Sequence, residues 1–165
     1  MRWLGPFVLA ALVALATFFA ALWATPHVVM AKAMQKLGAG GVNTMRHQGL
    51  PNAENRWIVR PSPDLAYSIC VFDLATGPVA IDAFVPPRRY WSLSVFDANT
   101  DNIFSVNDRA VKGGRHALTL SKDGTGGSLA VPGGKGIALI RILVTDAEDL
   151  AAIDALRRRS TCAPV

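Results

Sequence analysis

Cysteine is nearly missing from this sequence: it occurs twice, at Cys70 and Cys162, and neither sits in a Cys-x-x-Cys or Cys/His pattern. That removes the ligand spacing of a structural zinc site. Two readings of the thiols stay open. They are unrelated, one in a core strand and one in a tail, or they form a disulfide, which needs an oxidising compartment. Dense positive charge is also missing. The net charge is +5, yet apart from Arg157, Arg158 and Arg159 the basic residues are scattered. Nucleic-acid binding requires a basic stripe, usually with stacking aromatics, so no nucleic-acid partner is expected. His27, His47 and His116 lie far apart, lack paired metal-ligand spacing, and read as isolated polar side chains. Gly133-Gly134-Lys135-Gly136 lacks the hydroxyl residue and spacing of a phosphate loop and reads as a hairpin turn. Ser68, Ser92 and Ser94 have no nucleophile-elbow context, and Cys70 has core-like neighbours. There are no internal repeats and no low-complexity tail. No metal and no cofactor are expected.

What is present begins with an apolar block. Trp3 to Ala24 is 22 residues without a charge. As a helix it would be about 33 Å long, enough for a hydrocarbon core of about 30 Å. Lipid offers no partner to free backbone groups, so the segment must be helical there. Pro6 falls in the first turn, where its missing N–H costs little, and Trp3 and Trp23 fall at opposite interfaces. A cleaved signal peptide usually has a shorter core, and cleavage after Ala24 would put Leu22 where a small residue is needed. The reading is therefore a single-pass inner-membrane anchor over residues 1–25. Lys32 and Lys36 after the span slightly oppose export, whereas the short N-terminal flank favours it. The expected location of the soluble part is the periplasm.

Residues 26–54 read as a juxtamembrane helix, stopped by Gly38, Gly40 and Gly41, and a linker. Residues 55–165 change to period two. Strands are expected at Arg56–Arg60, Tyr67–Asp73, Val79–Val85, Tyr90–Phe96, Ile103–Val106, His116–Leu120 and Ser128–Val131. Gly136–Val144, apolar except for Arg141, reads as a central strand. The spacing of turns predicts a mostly β fold, an antiparallel sandwich or partly open barrel. A C-terminal helix follows, with a capping box at Thr145 and Glu148 and a buried stripe of Leu150, Ile153 and Leu156. Arg157–Arg159 would complement the dipole at its end, with an anionic lipid contact as the sharper alternative.

Several blocks carry a resemblance. Arg60-Pro61-Ser62-Pro63-Asp64-Leu65-Ala66-Tyr67-Ser68 looks like an "N/S-x-D-x-x-Y-S" opening, and Asp73-Leu74 with Gly77-Pro78 like a "D-L-x-x-G-P" turn. Arg89-Tyr90-Trp91-Ser92 and Asp97-Ala98-Asn99-Thr100-Asp101-Asn102 look like "R-Y-W/Y-S … D-x-x-T-x-N". Together they resemble the bacterial family catalogued as domain of unknown function 1254. The resemblance implies a mostly β fold and assigns no reaction. Larger members carry a companion domain, catalogued as domain of unknown function 1214, so it also implies a separate companion chain that docks here.

Two polar constellations are candidate ligand sites. Asp97-x-Asn99-x-Asp101, with Asn102 and Asp108, matches half of a calcium loop. It lacks the glycine, the final glutamate and the flanking helices, so it reads as an Asx-rich turn. Asp64 with Tyr67, joined by Tyr90 and Asn107, could pair a carboxylate with a phenol for acid–base work. The blander account is a turn-capping Asp and a packed Tyr. The functional expectation is a membrane-anchored envelope module that binds a partner chain or an apolar ligand. The alternative is an enzyme with an Asp/Tyr site at one end of the sandwich.

Overall fold

The apolar run and the stretch after Pro26 fold as one helix. In the computed structural model, which describes residues 3–52 and 61–165, α1 spans Leu4–Leu37 and contains Pro26. Polar side chains beside the proline bond back to the preceding turn. Thr25 Oγ1 donates to Ala21 O at 2.6 Å, and His27 Nδ1 lies 2.9 Å from Trp23 O. Residues up to Trp23 keep large apolar side chains exposed, whereas Met30 and Leu37 are buried. Among the described residues α1 is the one helix long and apolar enough to cross a membrane, a property shared by anchors and signal sequences. Gly38 ends it, as its position predicts, with its N–H on Met34 O.

Alternating residues then build two sheets. The strands are β1 Thr44–His47, β2 Leu65–Asp73, β3 Val79–Val85, β4 Trp91–Asp97, β5 Asn102–Asn107, β6 Gly114–Ser121, β7 Leu129–Ala130, β8 Lys135–Leu143 and β9 Thr161–Pro164. The five-stranded sheet has the order β1-β2-β8-β4-β5 and the four-stranded sheet β7-β6-β3-β9. Pairing is antiparallel except between β6 and β7. The fold is mostly β, two facing sheets with a C-terminal helix, and β8 is indeed central. Trp91, Leu93 and Val95 alternate inward on β4, and Ile81, Ala83 and Val85 do so on β3. They meet Ala138, Ile140 and Ile142 of β8 in a core between the sheets. Close approach also fixes a glycine: a Cβ on Gly136 would lie 2.0 Å from the Phe96 carbonyl oxygen.

Several details depart from the sequence reading. The expected strand Arg56–Arg60 lies outside the described residues. Both β1 and β9 escape the pattern because each has four residues. The Gly133–Lys135 turn crosses from one sheet to the other, since β7 pairs with β6 and β8 with β2 and β4. Helix α2, Ala147–Arg157, is capped one residue later than expected. Asp146 Oδ1 accepts from Asp149 N, and the Asp149 carboxylate reaches back to Thr145 N at 2.8 Å. A carboxylate serves an N-cap as well as a hydroxyl does, so Asp146 displaces Thr145.

Arg157 departs furthest. It is 1% exposed, not part of a surface cluster. Its guanidinium donates to Tyr67 O at 2.6 Å, to Gln48 O at 2.7 Å and to Asp154. Arg158 pairs with Asp154 in solvent, and Arg159 lies over the Phe84 ring at 4.4 Å. Nor are the histidines isolated. His47 Nδ1 lies 2.9 Å from the fully buried Ser68 hydroxyl, and His116 sits against Trp91 and Phe104.

His47 carries a pH prediction. Burial first, then the positive charges of Arg157 and Arg158, hold its pKa below the usual histidine value of 6.5, against the opposing pull of Asp154. The unfolded chain therefore binds that proton more readily. Stability should be full above pH 6.5 and fall as pH drops toward the lowered folded pKa, by at most about 1.4 kcal/mol per pH unit. His47→Gln should flatten this window in urea titrations between pH 7 and pH 5. An unchanged slope would refute the assignment.

Candidate functional site: an apolar cleft beside α1

A strand whose two faces are both covered must be apolar on both, and β2 is buried along nearly its whole length. Its inward residues, Ala66, Ser68, Cys70 and Phe72, face the core. On the outer face Ile69 and Val71, with Ile137 of β8, meet Met30 and Leu37 of α1. Phe96 and Leu139 extend this apolar patch beyond the helix.

Between helix and sheet a cleft of about 210 Å³ remains. Val29, Met30, Ala33 and Leu37 form its helical wall. Ile69, Ile137, Leu139 and Phe96 form its floor, and among the described residues Thr100 is its one polar lining residue. Such a surface can offer an occupant dispersion and dehydration but no proton transfer. A second concavity of about 330 Å³ also includes Leu37 and is bordered by Lys36 and Arg46. The Arg46 guanidinium rests directly on Gly40, where a Cβ would fall 1.7 Å from Nη1.

The residues singled out in the sequence lie outside this cleft. Asp97 is 3% exposed, and its Oδ1 accepts from Asn99 N at 2.8 Å and Asp101 N at 3.0 Å. It builds the β4–β5 turn. Asn99 and Asn102 are exposed on that turn. Within it Thr100 has φ 73°, a rare conformation for a β-branched residue. Thr100 is thus both the strained residue of the "D-x-x-T-x-N" block and part of the cleft, a role the sequence reading missed. The overlooked signal was Val29, Ala33 and Leu37 at helical spacing after the proline.

Asp64 accepts from the Ser62 hydroxyl, and the Tyr67 phenol oxygen accepts from Ser62 N at 2.9 Å. Both serve the turn before β2. Register aligns Tyr67, Arg141, Ser92 and Asn107 in one row across β2, β8, β4 and β5. Arg141 Nε donates to Ser92 Oγ at 3.0 Å within that row. At about 4.8 Å per strand, however, Tyr67 and Asn107 stand about 14 Å apart. Asn107 Oδ1 accepts from Arg109 N, and Tyr90, 40% exposed, precedes β4. The structure aligns Tyr67 with Asn107 without drawing them together.

Fold and site define a two-sheet β domain joined to one long apolar helix. The chain belongs to the family described as "Protein of unknown function (DUF1254)", which matches residues 42–164. Its fold is similar to the crystal structure of the VPA0106 protein from Vibrio parahaemolyticus, with a TM-score of 0.62 and 14% identity. That likeness covers 81% of this chain and 34% of the other. An uncharacterised protein from Burkholderia cenocepacia is 14% identical, with a TM-score of 0.49 over 66% of this chain and 33% of that one. The chain therefore spans about a third of the length of these solved relatives. A search of curated proteins finds no match.

Proposed function

We propose that this protein is a membrane-anchored envelope module that binds an apolar ligand in the cleft between α1 and the five-stranded sheet. The observation that carries the reading is a concave surface apolar on both walls, left open where helix and sheet part. Interior surfaces of this kind are normally filled, and apolar clefts are the usual form of small-molecule sites. Ala33→Phe puts a ring into the cleft. Wild-type protein washed in detergent should retain an apolar molecule, seen by mass spectrometry of a denatured extract, and the variant should lose it. Identical extracts would refute the reading.

In this reading the anchor lies in the inner membrane and the β domain faces the periplasm. The Cys70–Cys162 bridge supports this side, because disulfides persist in oxidising compartments. A partner chain is the second reading. The partner of that reading is a companion chain of the domain 1214 type, docking on the β domain. Mild-detergent purification that never recovers such a chain would count against it.

A further inference from the structure

We propose that the cleft takes the acyl chain of an anionic phospholipid from the surrounding bilayer, with the phosphate held by Lys32 and Lys36. The inference rests on the apolar-ligand reading and names its ligand class.

The uncharged run of α1 reaches beyond the span first marked out. From Trp3 to Ala31 there are 29 residues without a formal charge. That is about 43 Å of helix, well over a hydrocarbon thickness of about 30 Å. The cost of Thr25 and His27 in lipid is reduced, since Thr25 Oγ1 and His27 Nδ1 both bond to carbonyls of the preceding turn. Val28 and Val29 remain more than half exposed, so the lipid-compatible surface continues to the edge of the cleft. A tilted or deeply seated helix then brings Val29 and Met30 to the hydrocarbon boundary. The next polar residue is Lys32, whose long stem can carry its ammonium to the headgroup level.

Charge selects the headgroup. No Asp or Glu occurs in the first 53 residues, whereas Lys32, Lys36 and Arg46 all do. Lys32 and Lys36 are one turn apart on α1 and so share a face. Lys36 and Arg46 border the concavity that shares Leu37 with the cleft. An apolar slot whose helical side carries cations and no carboxylates, with Asp101 beside Thr100 on the opposite side, matches an acyl chain whose phosphate sits on the helix.

The test uses the full chain in vesicles of phosphatidylglycerol mixed with phosphatidylcholine, or of phosphatidylcholine alone. A trace phospholipid of the matching headgroup carries a diazirine in its acyl chain. After irradiation, peptide mapping should find label on the segments holding Phe96 and Leu139. This labelling should be about tenfold stronger with phosphatidylglycerol and should fall to the phosphatidylcholine level in the exposed double variant K32Q/K36Q. Label confined to α1 would overturn the inference, and equal strand labelling in both vesicles would overturn the anionic assignment. If the strands stay unlabelled while Ala33→Phe still loses a non-lipid molecule, the inference fails and the apolar-ligand reading stands.

Discussion

Arg157→Ala is expected to lower the stability of the β domain by about 2–4 kcal/mol, from a buried acceptor left without its donor and the cavity that truncation opens. The guanidinium joins three elements at once. It donates to the Tyr67 carbonyl on β2, to the Gln48 carbonyl just after β1, and to Asp154 one turn earlier on α2. Alanine leaves the Gln48 carbonyl short of its donor and Asp154 with Arg158 alone as its cation among the described residues, and it opens the volume of a nearly enclosed side chain. Arg157→Lys keeps the charge but not the fork, so an intermediate loss is expected. Burial pushes the Asp154 pKa up, yet the hydrogen bond and charge of Arg157, helped by Arg158, bring it below the usual value of 3.8. A carboxyl with a lowered folded pKa gives stability that is present above pH 3.8 and lost as pH falls through the folded value. Denaturant titrations should therefore show the Arg157 contribution shrinking only in strong acid. A loss under 1 kcal/mol at neutral pH would contradict this role.

The sequence disclosed the elements that obey one period. Trp91, Leu93 and Val95 announce an inward face, and all three are fully buried. The run Gly136–Val144, interrupted only by Arg141, announces a central strand, and β8 has β2 and β4 as neighbours. What stayed hidden depends on contacts between distant segments. Residues 29–37 alone cannot show that Met30 and Leu37 will rest on Ile69 and Ile137, which makes one wall of the cleft. Arg157 was legible as a terminal cation, but its burial follows from β1, a strand too short to show alternation. The turn-capping reading of Asp64 and the Asx-turn reading of Asp97 were legible in the sequence, as was a Tyr67 that packs and bonds backbone. Their visible bonds are to Ser62, Asn99 and Asp101.

The second large effect belongs to the disulfide. Removing it with Cys70→Ala and Cys162→Ala together should cost about 2–5 kcal/mol, measured by urea titration against the oxidised wild type. The bridge closes a sequence separation of 92 residues, with Cα atoms 6.3 Å apart. The chain-entropy account gives about 4.6 kcal/mol for a loop of that length. Domains of this size have only about 5–15 kcal/mol in total, so the bridge supplies a large share. Its position explains why it matters. Cys70 lies on β2 in the five-stranded sheet, and Cys162 on β9, a four-residue strand of the other sheet that among the described residues pairs laterally with β3 only. Without the bridge, β9 should fray first, and hydrogen exchange at Thr161–Pro164 should rise before exchange in β8. The same bond reports on location. Protein taken from membranes should bind a thiol reagent only after reduction, and free thiols in the native protein would contradict both the bridge and the periplasmic assignment.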